Sequence, residues 1–151
     1  MPATIAPSTE ACEAIRDQIN SGTAYTLAVN ATIAEQFSDD QQAMTELMVD
    51  VVPLEGEQLN ETLATEDRSS QVIGIEVRRK LEDDSQALVD AMKLIVQQIF
   101  QRVNNFYSAD FRVQVWECSP VNEENPNKEL LSEGLIFRSR LELRAEVEAP
   151  A

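Results

Sequence analysis

Residues 82–103 read EDDSQALVDAMKLIVQQIFQRV, and this one stretch constrains the fold more than any other. Leu88, Met92, Ile95, Ile99 and Val103 recur at the spacing of a single helical stripe, widened by Ala91, Val96 and Phe100. That spacing predicts an amphipathic helix, with Asp84 or Ser85 as its N-cap. Its apolar face has to be covered, and it holds too few heptads for a coiled coil to do the covering. The cover must come from the rest of this chain, where the apolar period is two. A helix lying on a sheet is the consequence.

The strands are predicted from that alternation. Tyr25, Leu27, Val29, Ala31 and Ile33 alternate with smaller or polar residues, and FSDDQQ (residues 37–42) reads as the exit turn. A second strand is expected over 45–53, with Leu47, Val49 and Val51 on one side, ended by Pro53, which has no N–H for a ladder. Ile73, Ile75 and Val77 mark a third, left through Arg78, Arg79 and Lys80; Phe111, Val113 and Val115 mark a fourth; Phe137, Leu141, Leu143 and Val147 mark the last. A shorter helix is expected over residues 9–20, with Ser8 or Thr9 as cap, Ala11, Cys12, Ile15 and Ile19 as its buried face, and Gly22 in a left-handed closing position. The polar segment SPVNEENPNKELLSEG has room for one helical turn at Lys128–Leu131. The predicted order is α-β-β-β-α-β-β: an α+β fold, two helices on an antiparallel or mixed sheet. One domain spans residues 1–151, with Met1–Pro7 and Glu148–Ala151 as flexible ends and an extended loop at Leu54–Ser70.

Composition narrows the function. A hydrophobic content of 43% is enough for a core, and a net charge of −15 disfavours affinity for nucleic acid or anionic lipid, which needs clustered Lys and Arg. No apolar run has the length to span a bilayer, and MPATIAPSTE carries no secretory pattern, so no membrane partner is expected. Cys12 and Cys118 have no metal spacing and read as reduced, half-buried thiols. The chain has no histidine, no phosphate-cradling glycine pattern and no nucleophile elbow. The pairs Asp39–Asp40 and Asp83–Asp84 read as a turn and a helix start rather than a cation site. The expectation is a non-enzyme with no cofactor and no metal.

Three features stand out. The first is the long acidic excursion between the second and third strands, since loops of that length in compact domains usually have a function. It is either a solvated loop or an arm that meets another molecule; Leu54, Leu59 and Leu63 favour the arm. The second is charge distribution: residues 39–67 hold nine acids and no base, while bases gather at Arg78–Lys80 and along Arg138, Arg140 and Arg144. Head-to-tail contact between copies is one reading and simple solvation the other. Candidate interface residues are Leu54, Glu55, Glu57, Leu59, Leu63, Glu66, Asp67 and Arg68 on the arm, with Arg78, Arg79, Arg138 and Arg140 on the basic side. The third is the lone Trp116, opposite Phe111, Val113 and Val115 on its strand, either an interface anchor or part of a second core layer.

The element order, together with VDVVP leading into a long polar loop, QVIGIEVRRKLE, LVDAMKLIVQQIF and ELLSEGLIFRSRLELR, resembles the tail terminator family of long-tailed bacteriophages over about residues 10–147. The resemblance implies a structural virion protein at the tail–neck junction, made in the bacterial host cytoplasm. Such proteins form a homohexameric ring on the last ring of the tail tube. The ring stops polymerisation of the major tail tube protein, presents a surface to the head-completion protein of the neck, and lets DNA pass through its lumen without specific binding. The length and the very acidic loop depart from the family. Another neck or head–tail connector ring, or a cytosolic acidic inhibitor module, are the alternatives.

Overall fold

The computed structural model describes residues 6–37, 46–56, 68–83, 85–121 and 126–148. The elements are α1 (Pro7–Asn20), β1 (Ala31–Ile33), β2 (Met48–Gly56), β3 (Arg68–Lys80), α2 (Gln86–Val103), β4 (Val113–Pro120), α3 (Lys128–Gly134) and β5 (Ile136–Glu148). The α+β reading holds, with a third short helix where one turn was expected.

The five strands form one open sheet in the order β1-β2-β3-β5-β4, mixed because β1 runs parallel to β2 while every other pair is antiparallel. Its spine is β3 against β5, paired without interruption from Arg68↔Glu148 to Lys80↔Ile136. Thirteen residues each make this pair roughly 40 Å long. One face of the sheet carries Val49, Val51, Ile73, Ile75, Val77, Leu141, Leu143 and Val147, all buried. Against it lie Ala11, Cys12, Ile15 and Ile19 of α1 and Val89, Met92, Ile95, Val96, Ile99 and Val103 of α2, making a single core.

The ends of the helices follow local chemistry. Ser85 caps α2, its hydroxyl accepting from the Leu88 N–H at 3.4 Å. Asn127 caps α3 by accepting from Leu130 N–H at 3.0 Å. α1 begins without a side-chain cap: Ala6 is the cap residue and Pro7 takes the first helical position, where a missing N–H costs nothing. Ser8 and Thr9 therefore lie inside the helix, one turn later than their expected role.

Five sequence expectations are corrected. The strand foreseen from Tyr25 is regular only over Ala31–Ile33; Tyr25 instead covers Gly22 and donates its hydroxyl to the Ile19 carbonyl at 2.9 Å. Gly22 is not left-handed, and its lack of a side chain serves the Tyr25 ring, since a Cβ there would meet ring carbon at 2.7 Å. The buried stripe of α2 uses Val89 in its first turn, leaving Leu88 half-buried and Ala91 exposed. Phe111 is not in β4: its φ is +59° and its ring points to solvent. The extended loop is also shorter than foreseen, because 54–56 and 68–70 belong to β2 and β3, paired as far as Gly56↔Gln71. The turn at Asp39–Asp40 and the loop residues 57–67 lie outside the described residues.

Candidate functional site

The face of the sheet away from the helices is polar, and its centre is charged. Register aligns Thr32, Asp50, Glu76 and Arg140 in one row across β1, β2, β3 and β5. The next row sets Arg78 opposite Arg138. Like charges directly across a ladder repel, and the side chains resolve this by pairing diagonally. Arg78 reaches Asp50 Oδ2 through Nη2 at 3.2 Å and Glu76 Oε1 through Nε at 3.2 Å. Arg140 Nε donates to Glu76 Oε2 at 2.8 Å, and the Thr32 hydroxyl donates to Asp50 Oδ1 at 3.0 Å. Glu76 is 0% exposed, a carboxylate held between two guanidinium groups. Arg138 is buried beside them; burial, with the neighbouring charge of Arg140, pulls its guanidinium below the ordinary value.

An aromatic ring seals one side of this row. The Arg140 guanidinium carbon lies 4.1 Å from the centroid of the Phe37 ring. That ring rests on Gly74, where a Cβ would come within 2.6 Å of Phe37 Cζ and 3.0 Å of Leu54 Cδ1. Gly74 is thus the seat of Phe37, with Leu54, 40% exposed, on its other side.

The residues singled out from sequence now have places. Arg78, Arg138 and Arg140 are brought together, but inside the chain's own ion pairs or buried, so they do not form a free basic face. Arg79 lies on the opposite, helix-covered face, half-buried, one residue out of phase with Arg78. Arg144, exposed, pairs with Glu117 at 3.5 Å. Glu55 lies in β2 across from Val72, and Arg68 lies in β3 across from Glu148. Glu57, Leu59, Leu63, Glu66 and Asp67 lie outside the described residues. Sequence reasoning missed Asp50, Glu76 and Phe37. The signal for the first two was visible as single charges between β-branched residues in VDVV and IEVR, a pattern of charge on the outer face of a strand.

A second surface forms at the β4 edge of the sheet. Residues 106–108 cover the first half of that edge: Val115 N–H donates to the Phe106 carbonyl and Ser108 N–H to the Val113 carbonyl, both at 2.8 Å. The intervening turn is tied by the Ser108 hydroxyl donating to Asp110 Oδ1 at 2.6 Å and by Phe111 N–H donating to the Ser108 carbonyl at 2.9 Å. The Ser108 hydroxyl bond is the main reason that the Asp110 carboxyl sits below its ordinary pKa, with the Arg112 N–H adding to it. Arg112 in turn grips Glu10 with two bonds, at 2.6 and 3.0 Å, which fastens this corner to α1. Phe111 and Tyr107 stand out from the turn, 66% and 51% exposed, edge to face with ring centroids 6.2 Å apart. Gln114 donates to the Tyr107 hydroxyl at 2.9 Å. Alternation along β4 puts Trp116, 47% exposed, on the same outer side as Gln114, and a bulge between Val115 and Glu117 follows.

The two thiols are chemically quiet. Burial, helped by Glu35 and Glu13, pushes Cys12 up to about 12, and burial alone pushes Cys118 up to about 12. Neither is a thiolate at neutral pH. Among the described residues no group of three His, Cys, Asp or Glu could hold a metal ion, and no helix is long and apolar enough to cross a membrane.

No family model matches the sequence, and no curated protein matches it. Among solved structures, the chain aligns over 100% of its length, at 13% identity and a TM-score of 0.41, with the PVC sheath/tube terminator of an extracellular contractile injection system in its extended state. The chain spans 58% of that protein's length.

Proposed function

We propose that this chain is a structural tail protein without enzymatic activity. In this reading it forms a six-membered ring at the head-proximal end of a phage tail tube, where it stops tube polymerisation and provides the joint to the neck. The observation that supports the reading is the element order built around the β2–β3 hairpin. A helix leads into a hairpin whose strands are joined through the acidic residues 57–67, and a long helix and a long closing strand complete the same sheet. This is the arrangement on which the sequence resembles tail terminators. A net charge of −15 suits a ring through which DNA slides, because a carboxylate lumen makes no phosphate contacts. Since Arg78, Arg138 and Arg140 are engaged within the chain, contacts between copies in this ring come from other surfaces, the β2–β3 hairpin first among them.

The test is assembly. Light scattering of the purified chain, alone and with tail tubes, is expected to give a particle of six times the 16.9 kDa chain mass, and micrographs a ring on one tube end. Shortening 57–67 to a Gly/Ser bridge should leave the fold intact, because closure entropy changes slowly with loop length, and should let tubes overgrow. A chain that stays monomeric in the presence of tubes and leaves their length unchanged would overturn the reading.

A further inference from the structure

The three most exposed large apolar side chains among the described residues, Phe111, Tyr107 and Trp116, all lie along the β4 edge of the sheet. We propose that this aromatic strip is the docking surface for a cationic segment of a different protein, one that sets arginine side chains over the rings and against Asp110. The proposal does not depend on the ring reading above.

Charge decides the occupant. The chain has 27 acids and 12 bases. Seven of those bases are used within the fold. Arg78 and Arg140 hold Asp50 and Glu76, and Arg138 is buried beside them. Arg112 holds Glu10, Arg144 meets Glu117, Arg16 meets Asp17, and Arg102 donates to the Gln18 carbonyl and the Ser21 hydroxyl. The other five are Arg68, Arg79, Lys80, Lys93 and Lys128, against 27 acids, so a second copy brings mainly carboxylates and few arginines to this surface. Next to the strip, a cleft of about 530 Å³ between α1 and the 106–113 turn is lined by Glu13 and Asp110 with Phe106 and Val113, and by Glu10 and Asp17, whose carboxylates already meet Arg112 and Arg16. Apolar rings beside ionised carboxylates suit guanidinium groups, which stack on aromatic faces and pair with carboxylates at once.

The geometry also limits the mode of docking. The bulge at Val115/Glu117 and Pro120 at the end of β4 interrupt the free half of the edge, two devices that block continuous strand addition. Recognition is by side chains. The turn is tied in advance by the bonds of Ser108, Asp110 and Phe111, which lowers the ordering cost that falls on binding.

Trp116 is the only tryptophan, so its emission reports on the strip directly. Titrating the full chain with a hexa-arginine peptide at physiological salt is expected to give a saturable change in that emission, with hexa-lysine weaker by about fivefold. Phe111→Asn keeps a residue type that tolerates the left-handed backbone; it should preserve the fold and weaken hexa-arginine binding about tenfold. Asp110→Asn should weaken it severalfold, and Glu129→Gln, on α3, should leave it unchanged. Three results would overturn the proposal. One is no saturable change; another is Glu129→Gln weakening binding as much as Asp110→Asn, the mark of a general polyanion. The third is concentration-dependent self-association of the free chain, by sedimentation, that Phe111→Asn abolishes, which would make a second copy the occupant.

Discussion

The two faces of the same sheet are held by different physics. On the helix side, Ile73, Ile75 and Val77 of β3 are buried in one apolar core with Ile15 and Ile19 of α1 and Ile95 and Ile99 of α2, and the cohesion is apolar area removed from water. On the open side the same strand presents Gly74, Glu76 and Arg78, and cohesion comes from charges that satisfy one another. Burial alone does not distinguish the faces: Glu76 is as buried as Ile75. The difference lies in tolerance. An apolar core loses in proportion to the volume removed, whereas a charge set loses abruptly when one member goes, because the others are left desolvated.

The largest loss is expected from Glu76→Ala. It leaves Arg78 and Arg140 facing each other without their shared carboxylate, and we expect a loss of about 3–5 kcal/mol in denaturant unfolding. Replacing Asp50, Glu76, Arg78 and Arg140 together by apolar residues of similar volume should cost far less than Glu76→Ala. If the single change is the milder one, the open face is not a coupled charge set. On the other face, Ile95→Ala should cost about 2–5 kcal/mol, and a loss below about 0.5 kcal/mol would show that the apolar stripe of α2 is not what the sheet packs on.

A smaller effect is expected from Gly74→Ala. The added carbon meets the far end of the Phe37 side chain, so the ring can swing off the sheet, and the cost should be about 1–3 kcal/mol. The Phe37 signal should lose its contact with Arg140 in nuclear Overhauser spectra. The thiols give a pH test of the helix side. Because folding raises both thiol pKa values from 9.0 to about 12, their contribution to stability is complete below pH 9 and is lost as pH rises from there through about 12. Thiol reagents at pH 8 should therefore react only after denaturant is added. The smallest effect belongs to Phe111→Gly. Relief of the left-handed backbone should leave stability unchanged or raise it by about 1 kcal/mol, which would mark that ring as serving something other than the fold.

What could be read from sequence follows the same division. The stripe of α2 and the alternation of β3 and β5 were legible because apolar burial leaves a periodic trace on the chain itself. The roles of Arg138 and Arg140 were not, since a charge carries no mark of whether its partner is water, a neighbouring molecule or a carboxylate 64 residues away. Tyr25 and Phe111 misled for a related reason. Phe111 extends a real alternation by one step and Tyr25 by three, but Tyr25 bonds back to the end of α1 and Phe111 is turned out by the bonds of Ser108 and Asp110. Trp116 stood out by its rarity, whereas its association with Tyr107 and Phe111 depends on a turn that no periodicity announces.

The pairing of β3 with β5 has a kinetic consequence. These are the two longest strands, yet α2, β4 and α3 lie between them in sequence, and the fasteners around them are remote as well: Arg140 to Glu76 across 64 residues and Arg112 to Glu10 across 102. Loops of that size must close before the spine returns any free energy. A chain dominated by such contacts folds in roughly milliseconds to seconds rather than microseconds. While it does, the edges of β3 stay open to strands from other molecules. In that interval the high negative charge keeps nascent chains apart.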